Sequence, residues 1–236
     1  MSHTPATVPA SDNHVWLVGE FVELLARQAP ASVLDVGCGS GGLLRACAER
    51  GISATGIDQA GPRLESLAAE GFDVREGSAY ELPLEDGAVD WVSMRHVPHH
   101  LEDPGRALAE ALRVAKTGLL VAEPHFDASV PSQRAAIALD IWEKRQHRRG
   151  GMYHAEVIEL GGLLELLPTV GLTVDAHRHQ RLRARDLAEF EADAAEYVTD
   201  LPGDHAERAA LEALLATLRD TDLTWNGSLC LVVRHR

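Results

Sequence analysis

The stretch Val33-Leu34-Asp35-Val36-Gly37-Cys38-Gly39-Ser40-Gly41-Gly42 decides the fold. A short apolar run, SVLDVG at 32–37, ends in alternating glycines, and a helical pattern at about 41–50 follows. Glycine lets a chain bend sharply and lets backbone approach a ligand without side-chain collision. The helix behind it presents free N–H groups. A strand that turns through glycines into a helix is therefore read as a ligand-binding turn. Gly37, Gly39 and Gly42 also satisfy G-x-G-x-x-G, a spacing that by itself suits a dinucleotide equally well.

Outward from this turn, strands alternate with amphipathic helices, a rhythm that implies crossovers and a parallel sheet. Strands are expected near 53–58, 72–76, 89–94 and 118–123, with helices at 62–70 and 104–115. The last of these starts with Asp103 as cap and Pro104 at its first position. A first helix is expected over 14–28, from the helical spacing of Trp16, Leu17, Phe21, Leu24 and Leu25. After Glu123 the rhythm changes. Residues 126–150 and 154–167 read as helices, 172–182 and 228–235 as strands, and the acidic, alanine-rich 184–220 as helical. The reading is one α/β domain over 1–236, with an N-terminal helix at 13–29 and helical additions at 126–153 and 184–220.

Two carboxylates separate the ligand classes. Asp35 stands two residues before the first glycine, at the carboxyl end of its strand. A carboxylate there opposes a pyrophosphate but suits the amino and sulfonium groups of S-adenosylmethionine. Asp58 closes the second strand, nineteen positions after Gly39. In a βαβ unit that spacing brings a carboxylate beside a ribose, where it can accept from both hydroxyls.

Composition narrows the rest. The chain has 236 residues, 45% of them hydrophobic, and a formal charge of −14. That field disfavours nucleic acid as a partner. The basic run KRQHRR at 144–149 reads as a solvated helix end. No apolar run reaches the roughly 18 residues that cross a bilayer, so no membrane partner is expected. The opening MSHTPATVPASDNH lacks the build of a secretory signal and reads as a loose tail. Cys38, Cys47 and Cys230 have neither disulfide nor zinc-site spacing, which makes a reducing cytoplasm the default. The twelve histidines show no HExxH or other metal-ligand pattern, so no metal is expected.

Residues 33–123 resemble the small-molecule methyltransferases of the ubiquinone/menaquinone-biosynthesis type, within the class I superfamily dependent on S-adenosylmethionine. VLDVGCGSG is similar to that family's first motif and ATGID to its second. The run GSAYELPLEDGAVDWVSMRHVPHHLEDPGRALAEALRVAKTG resembles its central segment. The resemblance implies a Rossmann-like, seven-stranded, mostly parallel sheet with helices on both faces, whose last strand, at 228–235, inserts antiparallel between the fifth and sixth. It implies that Asp35 and Gly37 lie at the methionine end of the cofactor, that Gly39 and Gly41 cradle it, and that Asp58 holds the ribose. Gln59 would lie next to adenine, Ser78 and Ala79 would flank it, and the backbone at Arg95 would meet the methionine group. Three positions depart from the pattern. Ser78 replaces the usual aspartate, Lys116-Thr117-Gly118 replaces Pro-Gly-Gly as a shortened turn, and Arg95-His96 replaces small or neutral residues.

The expected chemistry is in-line methyl transfer to a small-molecule acceptor, for which the protein supplies alignment and exclusion of water. A base is needed only if the accepting atom keeps its proton. His96 and His125, each just past a strand end, are the candidates for binding or proton transfer. His99-His100 reads mainly as structural, and Glu123 is a weaker candidate. Trp142, Tyr153 and His154, like Trp16, are weighed between an acceptor-site cover and core. A cofactor-binding protein without transfer activity and a nicotinamide-dependent oxidoreductase are the alternatives. The motifs set neither the accepting atom, O, N, C or S, nor the oligomeric state.

Overall fold

A computed structural model describes residues 12–236 of the chain; residues 1–11 of the opening tail lie outside them, while its last three, Asp12 to His14, are not loose but begin the first helix. Seven strands form one sheet in the order β3-β2-β1-β4-β5-β7-β6. They are β1 (Ser32–Val36), β2 (Ser53–Asp58), β3 (Val74–Glu76), β4 (Val89–Arg95), β5 (Ala115–His125), β6 (Leu172–His179) and β7 (Gly227–His235). The first five pair in parallel, and β7 runs antiparallel between β5 and β6, as the resemblance implied. The order reverses between β1 and β4, and open α/β sheets bind ligands at such a switch point.

The central strands are apolar throughout because helices cover both faces. One face buries Leu34, Val92, Leu119 and Leu231 against Leu108 and Leu112 of α4 (Pro104–Val114). The other buries Val33, Trp91 and Val232 under Phe21 and Leu25 of α1 (Asp12–Ala26) and Leu43 and Cys47 of α2 (Gly42–Glu49). Each such Leu or Phe removed from water contributes about 1.5–3 kcal/mol before entropy is counted. α3 (Pro62–Ala69) buries Leu67 beside Leu44.

Three segments differ from expectation. The helix read over 154–167 shrinks to α6 (Leu160–Glu165). The residues before it are held instead by outside partners: Ala155 N–H donates to the His99 carbonyl and Arg148 Nη1 to the His154 carbonyl. The acidic stretch 184–220 forms two helices, α7 (Leu187–Val198) and α8 (Ala206–Leu218), separated at Pro202-Gly203. Lys116-Thr117-Gly118 makes no turn, because α4 runs directly into β5. A Cβ at Gly118 would meet the Val233 carbonyl and sit 3.1 Å from the Trp91 ring, so glycine there answers to packing inside the sheet.

α5 (Pro131–Arg149) packs with α7 and α8 in an apolar cluster of its own. Trp142 is buried in it, edge-on to Phe190 at 6.0 Å. Among the described residues no helix is long and apolar enough to cross a membrane.

Candidate active site

The parallel register sets Val36 beside Ile57, so β1 and β2 end together on one side of the sheet. The glycine loop is stapled to β2 there: the amides of Gly37 and Cys38 both donate to the Ile57 carbonyl, at 2.7 and 3.2 Å. Gly37, Gly39 and Gly41 are all left-handed, with φ of +72°, +55° and +78°. Their surroundings differ. A Cβ on Gly37 would lie 2.5 Å from Val97 Cγ2, and one on Gly41 would collide with Leu67. At Gly39 nothing lies nearer than the Gly37 carbonyl, 4.0 Å away. Gly37 and Gly41 thus meet tight packing, while Gly39 keeps an open face.

That face looks into a cavity of about 660 Å³, within the roughly 300–1,000 Å³ usual for small-molecule sites. Of the residues assigned from sequence, Gly37, Gly39, Asp58, Gln59, Ser78, Ala79 and His96 line it. Asp35, Gly41, Arg95 and His125 do not. Asp58 also organises the loop. Its two oxygens accept from the amides of Gly39 at 2.6 Å and Gln59 at 2.7 Å. Sequence reasoning passed over Arg63, Tyr80 and Met152, which complete the wall. Tyr80 follows directly on Ser78-Ala79, and its hydroxyl accepts from the Asp103 amide that starts α4.

Asp35 lies beneath the loop, buried, with Ser93 Oγ donating to its Oδ1 at 2.8 Å. Burial pushes its carboxyl up from 3.8 to about 7, although Ser93 and the Arg95 guanidinium pull it down. The proton is thus bound more tightly in the folded protein than in the unfolded chain. Asp35 contributes stability that is fully present below pH 3.8 and is lost as pH rises through about 7. Asp35→Asn, which stays neutral, should therefore gain on the wild type between pH 4 and 8, by on the order of a few kcal/mol. Urea unfolding at pH 5 and pH 8, without ligand, measures this. An equal gap at both values would mean that the carboxyl is not held protonated.

His96 follows β4 with φ +57°, a left-handed backbone uncommon outside glycine. Its amide donates to the Ala122 carbonyl, and its Nε2 is buried without a hydrogen-bond partner. Burial, then the charge on Arg95, holds the imidazole well below its ordinary 6.5, so it is neutral at pH 7. A second cavity of about 190 Å³ opens on its other side, between α1, α5 and the start of β7. His14, Leu17, Pro124, Asp140 and Asn226 are in its wall. Arg95 turns toward this region, with Nη2 3.4 Å from His14 Nε2 and Nη1 buried without a partner.

His125 ends β5 on the face it shares with Glu123, one pair further on, and lies outside both cavities. Burial lowers its pKa, with Arg178, Asp127 and Glu159 as its charged surroundings. β5 runs three residues past the last pairing with β4, Arg95 to Ala122, before it ends at His125. Glu123 is wholly buried, with Oε2 2.6 Å from His99 Nδ1. Around His99 gather His100, His154 and His147. Burial first, then neighbouring histidines, lowers His100 to about 4 and His154 to about 2. The aromatic group weighed from sequence is therefore split: Trp142 is core of the helical cluster, whereas Tyr153 and Met152 line the main cavity. Trp16 lies under the Arg181 guanidinium, 4.6 Å from its ring centre.

Residues 34–122 match the sequence profile of the family described as "Methyltransferase domain". An uncharacterized 37.1 kDa protein from a Streptomyces fradiae transposon is 38% identical over 121 residues, 46% of this chain and 34% of that protein. Ajmaline N-methyltransferase of Rauvolfia serpentina is 34% identical over 123 residues, 46% of this chain and 41% of that enzyme. The chain spans well under half the length of these curated relatives. Among solved structures, a SAM-dependent methyltransferase from Archaeoglobus fulgidus superposes with a TM-score of 0.56 at 19% identity, covering 92% of this chain and 94% of that one. That likeness is one of fold.

Proposed function

We propose that this chain, a class I, Rossmann-like methyltransferase over residues 34–122, transfers a methyl group from S-adenosylmethionine to a small-molecule acceptor. One observation carries the reading: His96 is a wall of both cavities, the one under the glycine loop and the one under α1. It thus stands between a place for a cofactor and a place for an acceptor.

The residues present fit the cofactor. Gly39 leaves an open face, Asp58 lines the cavity beside it, and Ser78 and Ala79 stand on the far wall. When bound, S-adenosylmethionine supplies a methyl group already activated on a sulfonium. Asp58 would hold the ribose hydroxyls with the lone pairs its backbone bonds leave free. Gln59, Ser78 and Ala79 would bound the adenine. Asp35, with Gly37 and the backbone at Arg95, would face the methionine end, where a bound cation draws the proton off the Asp35 carboxyl. The neutral His96 would hold the acceptor through Nε2 and can take its proton.

A small acceptor agrees with the charge of −14, which opposes a phosphate backbone, and with the small-molecule substrate in the name of the Rauvolfia relative. We read the chain as one unit in which α1, α5, α7 and α8 cover the site. Three buried free cysteines suit the reducing cytoplasm.

The test is release of S-adenosylhomocysteine when the protein meets a panel of amines, phenols and thiols. His96→Ala should lower kcat by roughly 100-fold or more for an acceptor that must lose a proton. Its Kd for S-adenosylhomocysteine should stay within a few-fold. A kcat near wild type would remove His96 from the site. Tighter binding of NADH than of S-adenosylhomocysteine would instead favour an oxidoreductase.

Asp58→Ala should weaken S-adenosylhomocysteine by at least about 10- to 150-fold, which corresponds to roughly 1.5–3 kcal/mol of charged hydrogen bonding. Loss of the Gly39 anchor adds to loss of the ribose contact. Asp58→Asn should recover part of the deficit, since its carbonyl oxygen can still accept one amide. Unchanged calorimetric affinity for Asp58→Ala would exclude the assignment.

A further inference from the structure

Four histidines meet at the carboxyl end of β4 and β5. The short 3₁₀ turn Pro98–His100 supplies His99 and His100, α5 supplies His147, and the irregular segment after it supplies His154. One ring nitrogen each of His99, His100 and His154 lies within 4.8 Å of the others. The His99 and His154 rings stack at 5.0 Å, and His100 sits 4.3 Å from each.

Hydrogen bonding decides which nitrogens are left over. The Glu123 carboxylate, when ionised, can only accept, so His99 Nδ1 carries the hydrogen across their 2.6 Å contact. The lone pair of His99 is then on Nε2. His154 Nδ1 lies 2.7 Å from His147 Nδ1, and His147 Nε2 lies 2.8 Å from the Tyr197 hydroxyl. With the hydrogens pointing from His154 toward Tyr197, the lone pair of His154 is likewise on Nε2.

We propose that His99, His100 and His154 form a three-histidine site for a divalent transition metal of the zinc class. Imidazole nitrogens select such borderline-soft ions over magnesium and calcium, which take oxygen ligands. A ligating histidine almost always donates its other ring N–H to a carboxylate, carbonyl or similar partner, the place that Glu123 fills for His99 and His147 for His154. Three protein nitrogens leave one position open, the pattern of zinc sites that bind a water or substrate. His100 and Tyr153 both line the main cavity, so the site adjoins it. A tetrahedral ion with bonds of about 2.0–2.1 Å needs donors roughly 3.3 Å apart, so the three rings must close by an ångström or so on binding. A hydroxyl of a molecule in the cavity, bound at that position, would lose its proton nearer neutral pH.

The site does not depend on methyl transfer, and its test separates the two. Chelator-treated full-length protein is titrated with ZnCl₂ by calorimetry and, in parallel, with CoCl₂ by visible absorption. One equivalent of Zn²⁺ should bind, and Co²⁺ should give the strong visible bands of a four-coordinate nitrogen site. His100→Ala and His154→Ala should each weaken Zn²⁺ by more than the roughly 10–100-fold that loss of an outer partner costs. His177→Ala, on β6, should bind as wild type. His100 is exposed, so its variant should fold normally and decides the matter if His154→Ala does not. Absence of a one-equivalent endpoint, or wild-type affinity in His100→Ala, overturns the site. S-adenosylhomocysteine binding in the same samples reports separately on the cofactor reading.

Discussion

Gly39→Val abolishes measurable S-adenosylhomocysteine binding in calorimetry while the protein stays folded. Gly39 has φ +55°, and its missing side chain would meet nothing nearer than 4.0 Å. Left-handed backbone costs an ordinary residue roughly 1–2 kcal/mol, and a β-branched one more, since it is an outlier there. The isopropyl group would enter the face where the cofactor must approach backbone. Relief of the strain would turn the Gly39 amide off the Asp58 carboxylate, so both contacts are lost together. Gly39→Ala keeps the strain and shrinks the intrusion, and should bind with intermediate affinity. Gly37→Ala behaves differently, because its new methyl strikes Val97 rather than the cavity, and it should lose stability before it loses affinity. A Gly39→Val protein that binds within threefold of wild type would show that this loop does not touch the cofactor.

His99→Leu loses about 3 kcal/mol of stability or more, the cost of leaving a buried carboxylate without its hydrogen-bond donor. Glu123 is completely buried and has no other side-chain partner for Oε2, while Oε1 already lacks one. The leucine therefore leaves a carboxylate in the core with nothing to meet it. The double variant His99→Leu, Glu123→Leu removes the stranded group together with its cause and should recover much of the loss. Denaturant midpoints of the two single variants and the double close a cycle that isolates the coupling. Additive losses would mean that the 2.6 Å contact contributes nothing as a pair.

The sheet was legible because its signals are local. SVLDVG, SATGID and VDWVSM each join an apolar run to a turn, and the structure has β1, β2 and β4 there. The loop glycines and Asp58 were legible for the same reason, since spacing along one βαβ unit fixes their neighbours in space. The misread segments were those whose partners are distant in sequence. Residues 154–159 were read as part of a helix, but the Ala155 amide is claimed by the His99 carbonyl, far back along the chain. Gly118 looked like half of a turn because the Val233 carbonyl that requires it lies 115 positions away on β7. His125 was expected just past a strand ending at Glu123, but β5 runs on through His125, which lines neither cavity. The histidine cluster was the least legible feature, since its members come from three separate segments that no spacing rule connects.

The place of β7 also sets an order of events during synthesis. It is the last of the seven strands to be made, yet it is not an edge: β5 flanks it on one side and β6 on the other. While a ribosome is still translating residues 180–226, β5 and β6 both exist without the strand that joins them. Each then presents a row of unpaired N–H and C=O groups, and β5 is among the most apolar segments of the chain. Local βαβ units can form as they emerge, but closure of the sheet must wait for the nine residues of β7. For this topology the nascent chain is most vulnerable just before β7 emerges, when most of the sheet has been produced and its seam between β5 and β6 is still open.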